Sequence, residues 1–335
     1  MNGKPGVRSI AVLLFALLVL GPTAATADDS LDIPVRGYGI SLGNSSRFTG
    51  LRLNFSDRGV ERINGITASI WVPGSNPNSE FNGISLGLLG IKGDRFNGIT
   101  VAGIGMATGD IHGAAAALIG IGAADVTGIA VGGLGLGVEN LTGVAIGGLG
   151  VGAESIRGVA LGLIGVGAGK RFDGFGFAGL GMGGEEFNGV FLAGLGLGGT
   201  DMTGLFIAGL GMGGDNLTGV FASLLGMGGE HLKGIFVTGI GMGGQVIEGI
   251  TVAGFGQGAD YFRGAHFSLV HILAKQELKG VAVSAYNRAR HRQRGLTIGI
   301  INYAYDLQGV QIGLINIVKT NPRGLKVLPL VNAHF

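Results

Sequence analysis

The 335-residue chain contains no cysteine, one tryptophan, five tyrosines and seven prolines, and charged residues make up only 13% of it. Without cysteine there is no disulfide scaffold and no lipid-modified N-terminal cysteine. Seven prolines cannot supply a collagen, which needs glycine at every third position together with abundant proline. The charge content is about half that of an average globular chain. With 46% apolar residues and a mean hydropathy of +0.49, the chain has ample surface to bury, which argues against disorder. No uninterrupted apolar run reaches the length of about 20 residues that a spanning helix needs.

What is abundant is glycine, 72 residues or about one in five. One glycine recurs at Gly83, Gly98, Gly113, Gly128, Gly143 and Gly158, then from Gly174 through Gly189, Gly204, Gly219, Gly234 and Gly249 to Gly264, with a spacing of 15 broken by one step of 16. Gly280, Gly295, Gly309 and Gly324 continue the series, and Gly50 and Gly65 anticipate it. Apolar side chains keep phase with this glycine. A large one stands two residues before it (Phe172, Phe187, Met202, Leu217), others stand one and three residues after it (Val190 and Leu192, Ile235 and Val237), and another stands six after it (Leu180, Leu195, Leu210). Short alternating stretches of this kind are strand periodicity. A helix would carry interior glycines at about 1 kcal/mol each. The parity flips between stretches predict a chain that bends at the intervening glycines and keeps all of these apolar residues inside.

Two all-β architectures fit. In a β-solenoid each unit of about 15 residues is one coil, stacked about 4.8 Å from the next. In an outer-membrane β-barrel each repeat is one strand plus a turn. The strict period, the parity flips and the scarcity of aromatic girdle residues favour the solenoid. The terminal Phe335 favours the barrel, as do acidic residues recurring at one turn position (Glu139, Glu154, Glu185, Asp215, Glu230), because stacking would crowd like charges.

The ends differ from the middle. Lys4 and Arg8, the apolar run from Ile10 to Leu20 and the small-residue site Ala25-Thr26-Ala27 read as a secretory signal peptide. This divides the chain into residues 1–27, the signal; 28–80, imperfect repeats forming a cap; 81–264, regular glycine-rich repeats; and 265–335, C-terminal repeats. In the last segment Asn287, Asn302, Asn316 and Asn332 recur at the repeat spacing, and asparagine ladders in stacked coils bond to their neighbours. Charge is segregated as well, with an acidic stretch from Gly174 to Asp260 and a basic C-terminal end.

The units Gly309-Val-Gln-Ile-Gly-Leu-Ile-Asn316 and Gly295-Leu-Thr-Ile-Gly-Ile-Ile-Asn302 resemble bacterial surface-repeat proteins built on tandem G-[LV]-Q-I-G-L-[IL]-N units. Gly50-Leu-Arg-Leu-Asn54 and the stretch from Asn64 to Trp71 are similar to the opening of that group. The resemblance implies an exported surface or outer-membrane protein and carries over no catalytic or binding residue. The central units depart from it, with glycine (Gly135, Gly150, Gly181) in place of asparagine.

No chemistry-bearing constellation rises above the repeat. Ser41 and Ser85 lie in G-x-S-x-G strings but lack the helix that a nucleophile elbow requires. Gly211-Met-Gly-Gly-Asp215 echoes calcium-binding rolls without their period of about nine. The six histidines share no zinc-ligand spacing. Two candidates remain. Arg288, Arg290, Arg292 and Arg294 alternate along a strand and would share one face as a clamp for anionic lipid, lipopolysaccharide or other phosphate groups. Phe191, Phe206, Phe221 and Phe236 occupy one repeat position, two residues after the phase glycine, and would form an exposed apolar contact stripe. The sequence therefore predicts a non-enzymatic, cofactor-free, exported repeat protein of the bacterial cell surface or outer membrane. Its expected partners are lipid, lipopolysaccharide, another surface protein or itself, not nucleic acid, and a barrel or pore is the alternative.

Overall fold

The computed structural model describes residues 30–35 and 38–335, so the expected signal segment lies outside the described residues. Every helix or strand among the described residues is a strand. The chain divides into two compact units, one ending at Gly109 and one spanning Asp110–Phe335, with the boundary inside a single strand.

The first unit opens with strands β1 (Ser30–Val35) and β2 (Tyr38–Gly43), which pair antiparallel. From β2 onward the pairing is parallel, through β3 (Arg47–Asn54), β4 (Arg62–Ser69), β5 (Glu80–Gly87) and β6 (Gly90–Ala102). Its core holds the fully buried Arg52, which donates from Nη1 to Asp57 at 2.6 Å and to Thr67 at 3.1 Å, and from Nη2 to Asn44 at 3.0 Å. A buried guanidinium persists only when it is paired and bonded in this way.

After β7 (Gly105–Ala117), the second unit repeats one strand per coil from β8 (Gly120–Gly132) to β18 (His271–Val283), followed by the long β19 (Tyr286–Val318) and by β20 (Val327–His334). Successive coils pair parallel and in register: Gly204 lies beside Gly219, Phe206 beside Phe221 and Met212 beside Met227. The fold is a β-solenoid of about 15-residue coils. A barrel with one strand per repeat would reverse direction at each step, so the parallel stacking excludes that alternative. The recurrent acidic residues stack after all, on an exposed edge where solvent screens them, and Lys170 stands between the coils of Glu154 and Glu185 and pairs with Glu154.

The phase glycine explains why the period is strict. It adopts φ of +139° at Gly189, +130° at Gly204 and +131° at Gly219, a region that costs other residues strain. A Cβ on Gly204 would lie 2.0 Å from the carbonyl oxygen of Gly189 in the coil before, and the same contact recurs at Gly189, Gly219 and Gly234.

Inward and outward sets differ from the sequence expectation. In the coil around Gly189, the buried side chains are Phe187, Phe191, Ala193 and Leu197, whereas Val190 and Leu195 are exposed and Leu192 is half-buried. The strand runs straight through the glycine, so residues two before, two after and four after it face inward, and the odd neighbours face out. The apolar residues one, three and six after the glycine were expected inside, and they form the surface instead.

This geometry makes a sharp prediction. Gly204→Ala must move Gly189 or strain its own backbone, and should destabilise the protein by about 3 kcal/mol or more. Gly183 has an ordinary φ and nothing within 4 Å of an added Cβ, so Gly183→Ala should change stability by less than about 0.5 kcal/mol. Denaturant unfolding of the two variants checks this, and equal losses would remove the glycine ladder from its structural role.

Candidate functional site

The outward set of the second unit forms a continuous apolar face. Eleven segments, from residues 114–119 to residues 265–270, cover it coil by coil. The residue six after each phase glycine is large and apolar throughout, and from Ile119 to Phe255 each is between 45% and 54% exposed. Its backbone links neighbouring coils, as in Leu195 N–H to Leu180 O and Leu210 N–H to Leu195 O, both 2.7 Å. One and three residues after the glycine, Ile129 and Val131, Leu205 and Ile207, and Ile235 and Val237 add two further exposed columns. None of these outward slots in residues 114–270 holds Asp, Glu, Lys, Arg, Asn, Gln or His. Five residues after the glycine stands either glycine or a protruding leucine: Leu118, Leu163, Leu224 and Leu269, each about 70% exposed or more (73%, 70%, 69% and 76%).

The charges sit elsewhere in each coil, on the exposed residues four to one before the phase glycine. There Arg263 meets Glu248 at 2.6 Å, Lys275 meets Asp260 at 2.9 Å and Asn216 donates to Asp201 at 2.6 Å. Each coil is thus amphipathic, with one charged edge and one apolar side. The first unit has exposed apolar residues in the same slots, where Leu53, Ile70, Leu86, Leu88 and Val101 line a depression of about 530 Å³.

The phenylalanine stripe is not part of this surface. Phe191, Phe206, Phe221 and Phe236 are fully buried and stack ring on ring, with centroids 5.1, 4.7 and 5.2 Å apart. The slot holds alanine at Ala130, Ala145 and Ala160, which made it look outward-facing in the sequence. Gly176, one coil before the stack, has no room for a side chain, since a Cβ would meet the Phe191 ring at 2.8 Å.

The four arginines do not act as one row. Arg290, His291 and Arg292 form an exposed corner between the buried Ala289 and Gln293. Beyond it, Arg292 Nε lies 3.2 Å from Asp306, while Arg294 Nε lies 3.3 Å from Glu277 and donates to Gln308 at 3.0 Å. Before it, Arg288 lies over the Tyr303 ring, 5.5 Å from the centroid, and Arg288, Arg290 and Lys275 line a cavity of about 330 Å³ with Leu273 at its wall. An anion clamp is therefore reduced to Arg288 and Arg290, because Lys275 beside them is already paired with Asp260.

Among the described residues no three or more His, Asp or Glu side chains gather as a metal site. Ser41 and Ser85 are buried, and Ser41 bonds to Ser45. The asparagine ladder runs from Asn287 Nδ2 to Asn302 at 2.9 Å and from Asn302 Nδ2 to Asn316 at 2.8 Å. Asn332 stands apart from it, on antiparallel β20 opposite Gln311. Where the phenylalanine stack ends, its column continues as the fully buried Thr251 and His266. The Thr251 hydroxyl donates to Gln257 Oε1 at 2.6 Å, so His266 Nδ1, 2.8 Å away, carries the proton and donates to Thr251.

No protein-family model matches the sequence, and neither a curated protein nor a solved structure matches it. The functional reading therefore rests on the surfaces themselves.

Burial lowers the His266 pKa from 6.5 to about 4. The unfolded chain takes up this proton below about pH 6.5 while the folded chain does not, so stability should fall as pH drops from about 6.5 to 4, by up to about 3 kcal/mol. His266→Gln should flatten that part of the slope, measured as the difference in unfolding midpoint between wild type and variant at pH 7 and pH 4.5. An unchanged slope would show that the imidazole is not buried.

Proposed function

We propose that the chain is a non-enzymatic, exported repeat protein of the bacterial cell surface or outer membrane that acts as an interaction scaffold through its apolar face. The observation that carries this reading is the charge-free apolar face made by the outward slots one, three, five and six after each phase glycine in residues 114–270. Monomeric soluble proteins seldom leave a contiguous apolar patch larger than about 300–600 Å² open to water, and larger ones mark contacts with a protein or a membrane. The signal-like start of the sequence supports export, and the resemblance of the C-terminal units supports a surface location. The cavity beside Arg288 and Arg290 fits a phosphate-bearing group of lipid or lipopolysaccharide as a separate polar contact.

Expression in a bacterial host with an outer membrane tests the location. The expected outcome is a chain cleaved after Ala27, by intact-mass measurement, that is degraded by protease added to whole cells or recovered with the outer-membrane fraction. An uncleaved chain recovered with the cytosol would refute it.

A further inference from the structure

Resting on this scaffold reading, we infer that the apolar face of the second unit is a homodimer interface: two copies pack face to face, with their coil axes antiparallel. The dimensions fit. Eleven coils at about 4.8 Å span about 50 Å, and the five residue steps across the face span about 16 Å. The product, roughly 800 Å² per copy, is the size of a standard stable interface.

The chemistry of the surroundings disfavours a bilayer as the occupant. None of the outward slots in residues 114–270 holds tryptophan or tyrosine, the rings that anchor proteins at a lipid boundary. The same stretch contains eleven acidic residues and five basic ones, a net of −6, which opposes approach to anionic lipid. The column next to the face mixes Arg157, Lys233 and Arg263 with Asp173 and Glu248 and neutral threonines. It is not the lysine- and arginine-rich border of a membrane-lying surface.

The relief of the face fits a second copy. Leu118, Leu163, Leu224 and Leu269 protrude from the first, fourth, eighth and eleventh coils, while glycine occupies that slot in the seven coils between them. The order reads the same from either end. A two-fold axis lying between the two faces, at right angles to the coil axes, reverses it, and a displacement by one coil places leucines opposite gaps: Leu163 at Gly239, Leu224 at Gly179 and Leu269 at Gly133. Leu118 then faces the small Ala285. Each contact is made twice, as an isologous interface requires, and the leucines enter hollows where no side chain competes.

The test compares the purified protein with the double variant Leu163→Asp/Leu224→Asp and with Thr218→Asp, a change on the charged edge. Sedimentation equilibrium gives the oligomeric state, thermal melting reports folding, and flotation with neutral and anionic phospholipid vesicles reports lipid binding. The expected result is a wild-type and Thr218→Asp dimer and a folded double variant whose self-association is at least about 100-fold weaker. A wild-type dimer that survives the double substitution would overturn the assignment of this face. A wild-type monomer that floats with vesicles, and loses flotation in the double variant, would overturn dimerisation but leave the scaffold reading standing. A monomer that binds no vesicle would overturn both.

Discussion

The close approach of backbone to backbone at the phase glycine is the constraint on which the rest of the structure depends. A carbonyl oxygen from one coil sits where the Cβ of the next would be, so that slot admits only glycine. Because the same slot is filled in coil after coil, every other residue inherits a fixed height and direction. The ladder accounts for the strictness of the period better than hydrophobicity does, since the apolar residues around it vary freely among Val, Ile, Leu, Phe and Met.

From that constraint follows a division of labour within each coil. The interior is filled by side chains matched coil to coil: a stacked run of phenylalanines in the middle, alanines before it, Thr251 and His266 continuing the same slot after it, and the asparagine ladder in a separate column towards the end. These buried polar groups are bonded mainly to one another, which keeps their burial tolerable. Polar residues on one edge hold the charge, and the remaining side holds apolar residues that nothing among the described residues covers.

The repeat length, the absence of helix from the repeats and the stacked coils were legible in the sequence because glycine spacing reports them directly. Which side faces inward was not. Both the interior and one exterior side are apolar, so hydrophobicity could not tell Leu195 from Leu197, and the slot that alternates between Ala130 and Phe206 resembled a surface position. Parity carried through the glycine would have separated them, since Phe187, Phe191 and Ala193 lie at even steps from it. The arginine series was misread for a related reason: its alternation is interrupted by a corner at His291, and Arg292 and Arg294 are engaged by Asp306 and Glu277, which come from other coils.

The reversed direction of β20 has a further effect. A parallel stack ends in a row of unpaired peptide groups that can recruit another chain and grow without limit. By folding back antiparallel, from Gly309 beside His334 to Ile317 beside Val327, the last strand covers that edge with a strand of opposite direction, so a further coil laid on it could not continue the parallel ladder in register.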